Sequence, residues 1–371
     1  MPTPPIVQNV YYDADFPLMS GGAGAWQVYR YQQVRELLFD YATYGNGYMP
    51  DNGMLGSNLN QIDPPLHGQL RALISRFFSR GAIAGLEQDI ENACRSLLAG
   101  CQDKTVDVAR DFAFPLTATV ICEVLGISSG TEIMKVNNWA KAIVTAGYVE
   151  GGLAQAAVAQ QEMAGLFMQL LQSRAAEPRA DLLSALALAE VGADALAPAA
   201  KIGTCMTILL AGYETTANLI TSAVHQLSVD HQLQATIRQS PAIIPNFLQE
   251  VLRLYPSIVS MYRIARKDVV LEGQLIKAGD IINGWISTAN RDPELFAEPD
   301  KLDLDRHNSS QALSFGYGIH HCIGAALART QARIALEVLL RESTRVMPGD
   351  GEPVRTPSLI TPGFQTLPIT L

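Results

Sequence analysis

Cysteine is scarce in this chain and never clustered. The five cysteines, at positions 94, 101, 122, 205 and 322, include no short-spaced pair, which excludes a disulfide framework and the multi-cysteine sites of zinc and iron–sulfur centres. An odd count without a leader fits a reducing cytoplasm, the location expected here. Basic residues are also short, 27 against 36 acidic for a net charge of −9, and this argues against nucleic acid or an anionic membrane as the main partner. The opening Met1-Pro-Thr-Pro-Pro has no cationic start, and no nearby apolar run is long enough to span a bilayer. A soluble, monomeric protein is therefore expected. Gly/Ser tracts, Pro-rich spacers, like-charge blocks and internal repeats are all missing. Residues 1–371 then read as one domain, although length alone suggests two or three.

One of the cysteines stands apart. Phe315-Gly316-Tyr317-Gly318-Ile319-His320-His321-Cys322-Ile323-Gly324 places Cys322 in a glycine-punctuated loop directly before a helix-forming run, Ala325 to Leu340. Helix N-terminal N–H groups and the macrodipole favour a thiolate there. Gly318 and Gly324 let the loop turn through positive φ and approach a flat cofactor, while Phe315 covers the sulfur. Cys322 reads as a single thiolate ligand to an iron, and the absence of a CxxCH excludes covalent haem attachment. The bland alternative is an inert buried thiol, the reading that suits the other four.

Two further stretches carry polar groups where packing alone would not put them. Ala199 to Ser228 reads as one long helix, yet its centre is Ala211-Gly212-Tyr213-Glu214-Thr215-Thr216. A Thr215 hydroxyl bonded to the carbonyl of Ala211, beside Gly212, makes a polar notch; Tyr213 and Thr216 read as packing. Asp63-Pro-Pro-Leu-His-Gly-Gln-Leu-Arg71 reads as a helix start with Asp63 as N-cap, placing His67 and Arg71 on one face. In Phe247-Leu-Gln-Glu-Val-Leu-Arg-Leu-Tyr-Pro256, Glu250 and Arg253 can pair at i, i+3 before Pro256 stops the helix.

Together these stretches resemble the ordered motifs of the cytochrome P450 superfamily over residues 63 to 364: F-x-x-G-x-H-x-C-x-G at 315–324, A-G-x-E-T-T at 211–216, D-P-P-x-H-x-x-x-R at 63–71 and E-x-x-R at 250–253. The resemblance implies a mainly α fold with a small β-rich part, a triangular helical prism. Haem b would lie between the long central helix and the Cys-loop helix. It implies that Cys322 ligates the iron, that Ala211, Gly212, Phe315, Gly318, His320 and Gly324 line the haem, and that His67, Arg71 and Arg263 hold propionates. Glu214 and Thr215 would handle oxygen and protons, and Glu250, Arg253 and Arg306 would form a buried network behind the haem. The breaker-rich segment Tyr44 to Asn58 would cap the substrate pocket.

The activity implied is that of a monooxygenase using O₂ and two electrons. The electrons would come from a separate ferredoxin or flavodoxin with an NAD(P)H-dependent reductase, since no such domain is encoded. Arg76, Arg80, Arg329 and Arg333 are candidates for the docking patch. A pocket drawn from Ile208, Leu209, Val259, Met261 and Phe364 suits a medium-sized hydrophobic small molecule. Trp139, Tyr148 and Val149 are weaker candidates in the pocket roof. Two rival readings stay open: peroxygenase, C–C coupling or nitration chemistry on the same haem, and a non-enzymatic haem sensor or electron carrier.

Overall fold

The computed structural model describes residues 9–18, 22–47, 59–99, 101, 104–191 and 194–371. Its longest element is the central helix, Pro198–Val229, 32 residues and about 48 Å long at 1.5 Å per residue. Proline in its first turn sits where an N–H would have no helical partner. Buried residues from Ile202 to Ser228 occur on all its faces, because other helices enclose it. Phe114–Leu125, Gly152–Ala176 and Ala325–Glu342 all pack on it. The last of these, the cysteine helix, also lies along Arg80–Leu98, which Ser79 caps by accepting from the Ala82 N–H.

Two helices, Gly130–Val144 and Gly152–Ala176, pack on each other, and neither they nor the crossing between them line the cavity beside Cys322, so Trp139, Tyr148 and Val149 are not pocket residues. The crossing between them needs glycine at its end: Gly151 has φ +69°, and a Cβ on Gly152 would meet the Ala146 carbonyl oxygen at 2.5 Å.

The β part is smaller. A five-stranded sheet runs in the order Val10–Pro17, Ala23–Val28, Ile281–Trp285, Ser260–Ala265, Tyr44–Gly45. Every pairing is antiparallel except that of Ile281–Trp285 with Ala23–Val28. The alternating run at 269–276 forms two short strands, Val269–Leu271 and Gln274–Ile276, as a hairpin turned by Glu272 and Gly273 at φ +50° and +76°. The segment read as a pocket-capping loop from Tyr44 opens instead as the sheet's edge strand, since Tyr44 is buried against Ala265. Residues 48–58 of that segment lie outside the described residues.

Two hydrophobic clusters follow this division. The larger surrounds the central helix, and the smaller lies under the sheet around Val28, Val34, Ile282 and Phe296. Among the described residues, no single helix is long and apolar enough to cross a membrane.

Candidate active site

A cavity of about 320 Å³ opens between the central helix and the cysteine loop. The loop is closed by the Cys322 N–H, which donates to the Phe315 carbonyl at 2.8 Å. Gly318 is required by conformation and by space: its φ is +73°, and a Cβ would stand 2.9 Å from the Leu38 carbonyl oxygen. Arg329 lies 4.3 Å over the Phe315 ring. The surface of Cys322 is open, but it opens into the cavity. With protein groups alone, burial pushes the thiol up, opposed by the Gly324 N–H and by Arg71 and Arg329. The Gly324 N–H at the helix terminus thus favours the ionised sulfur without outweighing burial.

Cationic and imidazole groups line one edge of the same cavity: His67, Arg71, Arg263 and His320. His67 is 2% exposed, and its Nε2 has no hydrogen-bond partner among the described residues. An orphaned ring nitrogen beside two guanidinium groups fits the propionates of the haem that the sequence implies. The His320 ring lies tilted against His67, 4.2 Å between centroids. Burial, then His67 and Arg263, push its pKa down to about 4 against the pull of Asp63, so it is a neutral imidazole at pH 7.

Asp63 does not cap the helix it precedes. Leu66–Ser75 has no side-chain cap, and the Asp63 carboxylate takes the Asn46 N–H, Arg266 and His320 instead. Burial raises its pKa, yet those three partners outweigh burial and hold it low. A guanidinium and two further donors satisfy more of a carboxylate than one cap contact, worth about 1 kcal/mol.

The opposite wall is the central helix, whose Thr204, Thr207, Ile208, Ala211 and Thr215 face the cavity at helical spacing. At the notch, Thr215 Oγ1 donates to the Ala211 carbonyl at 2.6 Å, and Ser257 Oγ donates to the Thr215 carbonyl at 2.7 Å. Gly212 has no room for a side chain, since a Cβ would lie 2.8 Å from Ile121 Cδ1. Tyr213 is buried against the Phe114 ring at 5.0 Å. Glu214 does not line the cavity. Burial pushes its pKa to about 7, with hydrogen bonding from Thr361 pulling the other way.

The pocket list needs three corrections. Ile208 and Met261 line the cavity, whereas Leu209, Val259 and Phe364 do not. Leu209 is one position round the helix and fully buried in the core. Extended backbone alternates its faces, so Ile258 and Ser260 line the cavity in place of Val259. In the C-terminal turn it is Ile360 that reaches the cavity; Phe364 has Arg355 over its ring at 3.8 Å and meets His225 edge-on.

Behind the loop, Glu250 and Arg253 are 1% and 0% exposed. Arg253 donates Nε to Oε1 at 2.7 Å and Nη2 to Oε2 at 2.9 Å, while Arg306 Nε and the Asp303 N–H each reach Oε2 at 3.0 Å. The remaining guanidinium donors find the carbonyls of Asn290, Pro299, Lys301, Ala297 and Glu298. Burial would raise the Glu250 pKa, but these partners hold it below the usual carboxylate range. Asn290, whose carbonyl takes one of those donors, joins this network to the loop. Its Oδ1 accepts from the Leu313 N–H, and its Nδ2 donates to Ser314 Oγ, which in turn donates to the Leu252 carbonyl. Of the four basic residues proposed for docking, Arg76 and Arg80 are exposed. Arg333 is paired with Glu87 and Glu337, and Arg329 Nε is held by Gln249.

Known proteins resemble this arrangement throughout its length. Residues 242–368 match the family model described as Cytochrome P450. Cytochrome P450 109 of Bacillus spizizenii is 34% identical over 355 residues, covering 93% of this chain and 86% of the relative. Erythromycin C-12 hydroxylase of Saccharopolyspora erythraea is 32% identical, covering 95% and 91%. The crystal structure of HmtN, a post-tailoring hydroxylase involved in himastatin biosynthesis, superposes with a TM-score of 0.89 at 30% identity, covering 98% of this chain and 94% of that one. With a cysteine loop facing a notched central helix across a cationic-edged cavity, and with relatives of this identity along nearly the whole chain, the protein belongs to the cytochrome P450 family and is a haem b-dependent monooxygenase.

Proposed function

We propose that this monooxygenase activates O₂ with two electrons from a separate ferredoxin or flavodoxin and its NAD(P)H-dependent reductase, and oxidises a medium-sized hydrophobic molecule. The observation that carries the reading is the notch: the hydroxyl-bearing Thr215 lines the cavity wall opposite Cys322, next in sequence to a half-buried acid whose pKa desolvation raises to about 7. An acid with a midpoint near the working pH gives and recovers protons efficiently.

Cys322 would hold the haem iron, and His67, Arg71 and Arg263 the propionates. When bound, the haem supplies the iron chemistry that activates O₂ and oxidises the substrate. Thr215 hydrogen-bonds at the cavity surface, and Glu214 holds the proton behind it. The Glu250, Arg253 and Arg306 network keeps the cysteine loop in place from below through Asn290 and Ser314. Ile208, Ile258, Met261 and Ile360 give the substrate apolar contacts, which favours hydrophobic guests. A monomer working in the cytoplasm suits the net charge of −9 and the unpaired cysteines.

The test has two stages. Compounds that shift the bound haem to high spin are found first, then turned over with a surrogate ferredoxin and reductase. Product formed in proportion to NADPH is the expected result. Tight binders that give no product with any electron donor would overturn the reading.

A further inference from the structure

Asn46 lines the cavity in company with His67, Arg71 and Arg263. It is 3% exposed, and its buried Oδ1 has no hydrogen-bond partner among the described residues. Burying an amide without replacing its bonds to water is unfavourable, so this side chain awaits a partner from outside the chain. Its position is set by the main chain. Strand Tyr44–Gly45 pairs antiparallel with Ser260–Ala265, Gly45 opposite Ile264, and the next position along, Asn46, therefore lies at the sheet edge beside Arg263. The Asn46 N–H donates to Asp63 Oδ2 at 3.1 Å. The same carboxylate holds Arg266 and, at 3.3 Å, His320, so one anchor ties the edge strand to the cysteine loop. Gly45 lets Arg266 close over the strand, since a Cβ there would collide with its Nε. None of these bonds uses the Asn46 side chain.

We propose that the Asn46 amide donates a hydrogen bond to a haem propionate, so that the edge strand of the sheet binds the cofactor alongside His67, Arg71 and Arg263. A carboxylate suits this edge because it accepts from several donors at once, and haem b carries its two carboxylates together at one side of its rim. Half a turn of the amide exchanges Oδ1 and Nδ2 and leaves the backbone where it is, which brings a donor to the position of the unpartnered oxygen. Asparagine also adds a donor without adding a cation, which Arg71 and Arg263 would repel. The inference rests on reading this edge of the cavity as the propionate site.

The experiment uses the haem-loaded full chain, unmodified and as Asn46→Ala, Asn46→Asp and Arg71→Gln. Asn46→Asp keeps the shape of the side chain and removes its donors. Resonance Raman spectra report the propionate bending modes, which move with hydrogen bonding to the carboxylates, and haem loss is timed by transfer to excess apomyoglobin. Asn46→Ala should shift a propionate mode and speed haem loss about tenfold, the scale of one hydrogen bond to a charged group. Asn46→Asp should speed it further, since its carboxylate repels the propionate and competes with it for the arginines. Equal CO spectra control for the cysteine ligand, and the Asp63 anchor survives because it is held by the backbone N–H. Unchanged modes in both Asn46 variants, or haem loss within about twofold of the unmodified protein, would overturn the proposal. So would unchanged modes together with a weakened spin shift on adding dodecanoic acid, because the amide would then serve a carboxylate of the substrate. Arg71→Gln separates this failure from that of the underlying reading. If it moves the propionate modes and the Asn46 variants do not, only the role of Asn46 falls; modes that ignore all three substitutions would remove the propionates from this edge.

Discussion

Two glutamates in this protein, Glu250 buried and Glu214 half-buried, meet opposite fates. Glu250 accepts from two arginines and a backbone N–H and is held ionised with a lowered pKa. Glu214 has only hydroxyl support among its recorded partners, and burial lifts its pKa to about 7. The same side chain is a fixed strut in one place and a titrating group in the other. What separates them is the number and charge of the donors that replace water. A fully partnered buried charge resists change of state, whereas an under-partnered one is free to switch.

The largest effect should come from breaking the strut. Glu250→Ala leaves two guanidinium groups buried and unpaired, and loss of one partner of such a group costs about 3–5 kcal/mol. That is a large part of a typical stability of about 5–15 kcal/mol, so little folded, haem-loaded protein should be recovered. A near-normal yield of holoprotein, measured by its CO spectrum, would show that this network is dispensable.

Next comes the switch. Thr215→Ala should keep haem loading and substrate binding while product per NADPH falls and hydrogen peroxide rises. Loss of one positioned acid–base element typically costs about 10²–10⁴-fold in its step. Thr216→Ala, at the buried neighbour that also lines the cavity and is therefore more than packing, is the comparison, and equal uncoupling in both variants would show that Thr215 has no special role among the cavity hydroxyls.

The sign of the pH dependence sharpens the comparison further. For Glu250 the folded pKa is lowered, so its contribution is full above the unfolded carboxylate range and is lost as pH falls. For Glu214 the folded value is raised from 4.5 to about 7, so stability is greatest below 4.5 and declines as pH rises to about 7. Glu214→Gln should remove that decline, a gain at pH 8 of at most about 3.5 kcal/mol at roughly 1.4 per pKa unit. Denaturation midpoints of the two proteins that run parallel from pH 4.5 to 8 would contradict this.

The smallest effect belongs to charges at the surface. Arg333 pairs with Glu87 and Glu337 while half-exposed, and Arg333→Ala should cost about 0–1 kcal/mol, less in high salt. Because those carboxylates already neutralise it, the rate of reduction by a ferredoxin should depend more on Arg76 and Arg80. A larger rate loss in Arg333→Ala than in Arg76→Ala, with steeper salt dependence, would reverse that ranking.

Legibility in the sequence followed the range of the interactions. The central helix was predicted at 199–228 and spans Pro198–Val229, and the Thr215 to Ala211 bond follows from the i, i+4 geometry of any helix. Side-chain direction within a stretch was harder. Leu209 and Val259 fail as pocket residues because the next residue along points elsewhere, and neither composition nor hydrophobicity tells neighbours apart. Asp63 was read as a cap because capping is local; its actual partners, Arg266 and His320, are about 200 and 250 positions away.

By itself the sequence determined the elements, the family motifs and hence the chemistry, since a cysteine loop before a helix and an acid–alcohol pair within one are written in residues a few positions apart. Only the tertiary structure decided which acid is held ionised, which residues wall the cavity, and by which side-chain hydrogen bonds Asn290 and Ser257 support the cysteine loop and the notch. The reason is physical. A pKa and a pocket wall depend on what excludes or replaces water around a group, and those neighbours come from segments that meet only when the chain has folded.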